Sequence, residues 1–225
     1  MKKLVIAIDG PAASGKSTTS KLVAESMGYL YVDTGAMYRA MTLKAIQHKI
    51  NLDASDEIGD LAERTSVRLE QKEDQLIVFL DNQDVTKSIR TQAVTKAVST
   101  VSSISKVRKV MVREQRLMGK QGGIVLEGRD IGTVVFPEAD LKVFMVADVE
   151  ERARRRKKDL EKEGESVSLE VLVEEIIERD RKDSKREISP LCKAVDAIIL
   201  DTSKMTVAEQ VEFIVKNAKE ILEKR

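Results

Sequence analysis

The apolar run Leu4 to Ile8 leads into Gly10-Pro11-Ala12-Ala13-Ser14-Gly15-Lys16-Ser17, a match to G-x-x-x-x-G-K-[ST], and then into residues with helical spacing. A strand that turns through glycines into a helix lines up backbone N–H groups at the positive end of the helix dipole. That row is a cradle for phosphate. In this pattern the lysine reaches the outer phosphates and the hydroxyl beside it faces Mg²⁺, which gives those tasks to Lys16 and Ser17. The same order commits the chain to an α/β fold. A helix that packs back on its strand returns the chain to begin a neighbour running in the same direction.

The following residues agree with that start. Gly28 reads as the left-handed stop of the first helix and Tyr29 to Val32 as a second strand. Its polar end, Asp33-Thr34-Gly35-Ala36-Met37-Tyr38-Arg39, falls where open α/β sheets bind ligands, at a strand's carboxyl end. Thr34 is expected to cap a helix from Ala36 to about Gln47. The pattern then changes. Val67-Arg68-Leu69 alternates, Gln71 to Gln75 reads as a polar turn, Leu76 to Leu80 as a buried strand, and Asp81-Asn82-Gln83-Asp84 as a further turn. These residues predict a small antiparallel insert of two or three strands. Two helices follow, one through Val94, Val98 and Val101, the other from a cap at Ser105 to Leu117.

Ile124 to Leu126 reads as a strand ending in Glu127-Gly128-Arg129-Asp130, and Leu141 to Val146 as a fourth. Asp148 with Glu151 suggests a capping box for the next helix. Arg152, Arg154, Arg155, Arg156, Lys157 and Lys158 wrap around that helix at about 100° per residue. It is therefore expected to stand off the core in a hairpin around Gly164, able to swing arginines over a ligand. A helix from about Ser168 to Lys185 sets Arg179 and Asp183 on one face, with Arg186 joining them if the helix extends to it. Ile188-Ser189-Pro190 breaks that helix, Ala197 to Leu200 is a fifth strand, and Thr206 with Glu209 caps a last helix through Leu222.

Charge and composition narrow the partners. Lysines and arginines number 39 against 38 acidic residues, so the net charge of +1 draws the chain to neither nucleic acid nor membrane, and any anion must be held locally. Aromatic residues make up 3% of the chain, too few for a base-stacking platform. Cys192 is the single cysteine and His48 the single histidine, which excludes an internal disulfide, a histidine metal cluster and a Ser-His-Asp triad with other support. Both are read as having no catalytic part. Leu4 to Ile8 is too short for a signal-peptide core or a membrane span, so a cytoplasmic location is expected, and separately a monomer.

The motifs together carry a resemblance. Asp9-Gly10-Pro11 opens the loop, and Asp33 to Arg39, Ile89-Arg90-Thr91-Gln92, Gly128-Arg129-Asp130-Ile131-Gly132-Thr133-Val134-Val135-Phe136-Pro137 and Glu178-Arg179-Asp180 follow in order. With these landmarks the chain resembles, over nearly its full length, the bacterial cytidylate kinases, P-loop nucleoside monophosphate kinases that move the γ-phosphoryl of ATP to CMP or dCMP. Gly128 to Pro137 is the most specific of the blocks. Thr34 stands where some members have Ser and keeps the hydroxyl, whereas Glu127 stands where some have Asp.

The resemblance implies an α/β P-loop kinase fold, a five-stranded parallel sheet flanked by helices, with an inserted small antiparallel nucleotide-binding subdomain and a helical lid. In one domain spanning 1–225, the core would be about 1–35 and 119–225, the insert 36–118 and the lid 150–166. Gly10, Pro11, Ala12, Ala13, Ser14, Gly15, Lys16, Ser17 and Thr18 would hold the ATP phosphates, aided by Arg152 and Arg156 of the lid, with Mg²⁺ on Ser17. Thr34, Arg39, Arg129 and Arg186 would hold the CMP phosphate, Ser99, Arg108 and Asp130 would read the cytosine, and Arg179 and Asp183 would hold the ribose. Lys16, Arg129, Arg186 and Arg156 would carry the catalytic charge. A nucleic-acid binder using the Arg152 to Lys158 run is disfavoured by the neutral net charge and few aromatics, and two other readings compete: a P-loop kinase for a different small acceptor, which the loop alone does not exclude, and a nucleotide-dependent switch without one. Gly128 to Asp130 favours cytidylate over the former, and the absence of a guanine-reading Asn/Thr-Lys-x-Asp run counts against the latter.

Overall fold

The computed structural model describes residues 3–72, 75–162 and 164–224. In chain order run β1 (Val5–Asp9), α1 (Lys16–Met27), β2 (Leu30–Asp33), α2 (Thr34–Gln47), α3 (Ser55–Glu63), β3 (Val67–Lys72), β4 (Gln75–Leu80), β5 (Gln83–Asp84), α4 (Gln92–Ser103) and α5 (Ser105–Met118). After them come β6 (Ile124–Gly128), β7 (Leu141–Val146), α6 (Val149–Lys162), α7 (Leu169–Lys185), β8 (Ile198–Asp201) and α8 (Val207–Glu223). The fold divides into two compact units, one of residues up to Tyr31 together with those from Gly122 onward, the other Val32–Gln121.

The first unit is built on a five-stranded sheet in the order β2-β6-β1-β7-β8. β1 is parallel to both β6 and β7, and β7 to β8. All of β6 and nearly all of β1 are buried, as a parallel sheet covered on both faces requires, which is why their sequences read as continuous apolar runs. The five expected strands are all present. Three are displaced by one residue toward polar ends, since the backbone ladder continues past the last buried side chain: β1 through Asp9, β2 through Asp33 and β8 through Asp201. Gly28 stops α1 in the left-handed conformation at φ 63°. At the other end of the chain Thr206 and Glu209 form the complete capping box of α8.

Within the second unit, β3, β4 and β5 make an antiparallel sheet in sequence order. The predicted polar turns shrink: Gln71 and Lys72 complete β3, Gln75 opens β4, and Gln83 and Asp84 pair as β5, leaving Asp81 and Asn82 at positive φ as the turn. Residues 73 and 74 lie outside the described set. α3 has no counterpart in the sequence expectation. It is short and contains Gly59, but Ile58, Leu61 and Ala62 bury a stripe at helical spacing into a core shared with Met37, Met41, Ile89 and Met111.

Local capping differs at three places. Asp33, not Thr34, caps α2, its Oδ1 accepting the Ala36 N–H at 2.8 Å, because Asp33 stands just before the helix while Thr34 is already its first residue. Ile104 precedes α5 with no side-chain cap, and Ser105 is already helical. Asp148 gives its N–H to Ser203 Oγ at 2.9 Å, while Glu151 accepts from Arg155, so no capping box forms there. α6 packs along α7. Ala153 and Leu160 are buried against Leu172 and Ile176 of α7, because two small or apolar positions are enough to seat a helix whose remaining surface is charged. α7 ends at Lys185, so Arg186 leaves the helix in an extended conformation.

Candidate active site

The phosphate loop owes its shape to close packing. Gly10, at φ 154°, lies on β7 so tightly that a Cβ would sit 2.2 Å from the Met145 carbonyl oxygen. Gly15, left-handed at φ 93°, opens α1 with no side-chain cap, leaving the helix's first N–H groups for an anion. Three side chains hold the loop from behind through its carbonyls. Thr202 Oγ1 donates to Ser14 at 3.0 Å, Arg155 Nη1 to the same oxygen at 3.3 Å, and Arg152 Nη1 to Ala12 at 3.2 Å. α1 is fixed in turn by Thr19 Oγ1 donating to Gln210 Oε1 at 2.6 Å.

Lys16 is buried, its Nζ donating to the Pro11 carbonyl at 2.6 Å and to Ser14 Oγ at 3.2 Å. Burial, then the nearby Arg129 charge, brings its pKa down to about 7, against the pull of Glu127 and Asp9. Ser17 and Thr18 are exposed. Asp9, the last residue of β1, is buried and accepts from the backbone N–H of Ile131 at 2.8 Å and of Gly132 at 2.7 Å. Burial nevertheless pushes its carboxyl up to about 6.

Beside the loop, β6 ends in a second polar cluster. Glu127 is buried and accepts from Tyr31 Oη at 2.6 Å. Arg129 Nε donates to Asp183 Oδ2 at 2.9 Å, and Arg186 Nη2 lies 3.6 Å from Asp130 Oδ1. Arg186 also donates through Nε to the Ser189 carbonyl. Burial raises the Asp183 carboxyl, but the charges of Arg129 and Arg179, the Arg129 hydrogen bond and the charge of Arg186 overcome it, and the net shift is downward. Arg129, Asp130, Arg179, Asp183 and Arg186 are thus assembled in the first unit from two separate segments. Arg179 and Asp183 share the expected face of α7, which stops short of Arg186. Arg186 reaches the cluster from the chain beyond α7.

The second unit carries its own polar groups. Arg39 Nη2 donates to Asp33 Oδ2 at 2.6 Å, while its buried Nε has no hydrogen-bond partner among the described residues. Thr34 is buried at the start of α2. Arg108 Nη1 donates to the Ser102 carbonyl at 3.2 Å, and its guanidinium lies 5.4 Å from the centre of the Tyr38 ring. Ser99, half-buried on α4, accepts from Ser102 Oγ through its carbonyl at 3.2 Å.

Comparison with known proteins decides the family. The cytidylate kinase family model matches residues 6–220. The chain belongs to the cytidylate kinase family. It is 51% identical to a cytidylate kinase of Streptococcus sanguinis (strain SK36) over 225 residues, the whole of both chains. It is 47% identical to one of Bacillus subtilis (strain 168) over 215 residues, 96% of each. Two solved structures share the fold at low identity. An uncharacterized protein from Eubacterium ventriosum ATCC 27560 aligns at TM-score 0.54 and 14% identity, covering 97% of this chain and 99% of its own. A gluconokinase from Sinorhizobium meliloti 1021 aligns at 0.50 and 12%, covering 99% and 95%. The expected P-loop kinase fold is therefore present.

For a cytidylate kinase family member, several site-shaping residues were not legible beforehand. Arg155, Thr202 and Gln210 support the loop from α6, the end of β8 and α8. Thr202 follows a parallel strand at its carboxyl end, the rule that had singled out Thr34 and Arg129, and could have been found by it. Arg155 could not, because six neighbouring basic residues look alike until packing sorts them. Arg152, expected on ATP, spends its guanidinium on Asp180 Oδ2 at 2.7 Å and on the Ala12 and Ala147 carbonyls. Arg154 pairs with Glu150 on the surface. Arg156 is half-buried and has neither a hydrogen bond nor an ion pair to any described residue.

Proposed function

We propose that this chain transfers the γ-phosphoryl group of ATP to CMP or dCMP, giving ADP and CDP or dCDP. The observation that carries the proposal is the pairing of a phosphate loop on β1 with the cluster on the adjoining end of β6 in which the buried Asp183 and Asp130 hold Arg129 and Arg186. An anion cradle and a second, arginine-rich polar site then sit on neighbouring strands of one sheet. Gly10 to Thr18 cradle the donor phosphates. Thr34, Arg39, Arg129 and Arg186 take the acceptor phosphate, Ser99, Arg108 and Asp130 the cytosine, and Arg179 with Asp183 the ribose. Guanidinium forks match phosphate oxygens, and a carboxylate accepts from the cytosine N4 amine, which uracil lacks.

Mg²⁺ fits the donor side. No group of three or more acidic, histidine or cysteine side chains that could cage a metal occurs among the described residues, but Mg²⁺ holds most of its waters and is commonly bound through substrate phosphates. Ser17, exposed in the first turn of α1, would be the protein ligand, and the ion would neutralise charge on the transferring phosphates.

The protein itself performs no proton abstraction, since a phosphate acceptor is already ionised at neutral pH. Its work is positioning and positive charge. Lys16 leaves its contacts with Pro11 and Ser14 for the outer phosphates of ATP, and Arg129 and Arg186 orient the acceptor oxygen. Arg156, with no hydrogen bond or ion pair among the described residues, is the lid arginine with a guanidinium to offer, and residues 150–166 act as the lid that keeps water from taking the phosphoryl group. The activity belongs to pyrimidine nucleotide metabolism, carried by a cytoplasmic monomer that acts on free nucleotides. A coupled assay of ADP release with each nucleoside monophosphate tests it: CMP and dCMP turn over far faster than AMP, GMP or UMP. Equal rates with UMP would remove the cytidylate assignment.

A further inference from the structure

Asp9 does something that neither the phosphate loop nor the acceptor cluster explains. In the sheet its backbone stands in register with Gly128 of β6. Its carboxylate crosses to the far side of the next two residues and accepts from Ile131 N–H through Oδ1 at 2.8 Å and Gly132 N–H through Oδ2 at 2.7 Å. These are the first N–H groups of the helical turn Ile131–Val135, which has no cap of its own from Asp130. Such groups have no acceptor within the turn, and a carboxylate placed there satisfies both.

The consequence concerns what lies between. Arg129 and Asp130 are a two-residue link, gripped at one end by the Asp9 backbone through Gly128 and at the other by the Asp9 side chain through Ile131 and Gly132. Asp9 is also joined directly to Gly10, where the phosphate loop begins. One buried residue therefore fixes both the start of the donor cradle and the backbone that carries the acceptor anchors. Gly132 shows how closely the parts are fitted, since a Cβ there would lie 3.4 Å from Asp9 Oδ2 and 3.2 Å from Lys142 Cδ.

We propose that Asp9 is a positioning residue for phosphoryl transfer, setting the spacing between the phosphate loop and the Arg129–Asp130 pair. The proposal rests on the assignment of Arg129 and Asp130 to CMP. In Asp9→Asn one accepting oxygen becomes an NH₂ that faces a backbone N–H, so the grip on one side of the link is lost while the loop sequence stays intact. Misplacing reacting groups by about 1 Å lowers turnover by up to roughly a hundredfold.

The test compares wild type, Asp9→Asn and Asp9→Ala, the last of which removes both accepting oxygens. ATP and CMP affinities are measured separately by calorimetry, and ADP formed is measured per CDP formed. The expected result is a fall in kcat of about ten- to a hundredfold with ATP affinity within about twofold of wild type. More ADP than CDP should also appear, because water takes the phosphoryl group when the acceptor is displaced. A residue needed only for folding would not alter that ratio. The inference is overturned if either folded variant keeps wild-type kcat and coupling, or loses ATP affinity as much as CMP affinity. If Asp9→Ala does not fold, Asp9→Asn decides, and if neither folds, Asp9 is a stability residue and the inference also falls. Failure of the CMP assignment itself would show differently, as absence of CDP from the wild type.

Discussion

Lys16 is held in a buried state that a bound anion would relieve. Buried beside the Arg129 charge, it titrates at about 7 in place of its ordinary 10.5. The unfolded chain therefore binds more protons than the folded one between about pH 7 and 10.5, and this residue's contribution to stability rises with pH across that window. Below it, a buried charge without an anionic ligand works against the fold. Phosphate supplies the missing partner and returns the pKa upward. ATP binding near pH 8 should thus take up a proton, seen as a dependence of the calorimetric heat on the ionisation enthalpy of the buffer. In Lys16→Met both this dependence and turnover should disappear, while nucleotide-free protein at pH 6 should melt at a higher temperature than the wild type. Buffer-independent heats in the wild type would show that Lys16 does not meet the phosphates.

At the scale of elements, α6 is tied to the phosphate loop by one arginine in particular. Arg155 donates to the Ser14 carbonyl, to Thr202 Oγ1 at 3.0 Å and to the Thr202 carbonyl at 2.6 Å, whereas its neighbour Arg154 meets only Glu150 and Glu151 at the surface. Exposed pairs of the second kind are worth about 0–1 kcal/mol. Arg155→Ala should raise the KM for ATP by about tenfold, equivalent to about 1.4 kcal/mol, and leave the KM for CMP within about twofold. Arg154→Ala should change neither. Equal effects of the two substitutions in steady-state kinetics would mean that α6 does not brace the loop. A periodicity count could not separate these neighbours, because both are long cations on one helix and only the packing of Ala153 and Leu160 against α7 decides which of them turns toward the loop.

For the whole molecule, the residues assigned to CMP are divided between the two compact units, Thr34, Arg39, Ser99 and Arg108 in one, Arg129, Asp130, Arg179, Asp183 and Arg186 in the other. CMP should therefore slow amide hydrogen exchange at Thr34–Arg39 and at Gly128–Ile131 with the same concentration dependence. A response confined to one segment would withdraw the other unit's residues from the CMP site. The sequence by itself determined the phosphate loop, the five strands, the antiparallel insert and the α8 capping box, because each rests on neighbours a few residues apart: a glycine pattern, an apolar run, an alternation, a Thr three residues before a Glu. The tertiary structure alone decided that Asp33 and not Thr34 caps α2, that Arg186 joins Asp130 from outside a helix, that Arg152 serves Asp180 while Arg155 serves Ser14, and that Asp9 grips the turn after Asp130. Apart from the cap, these contacts join residues brought together by separate segments. A carboxylate or guanidinium has several possible partners of equal chemistry, and burial and distance select one only after the sheet and helices have packed.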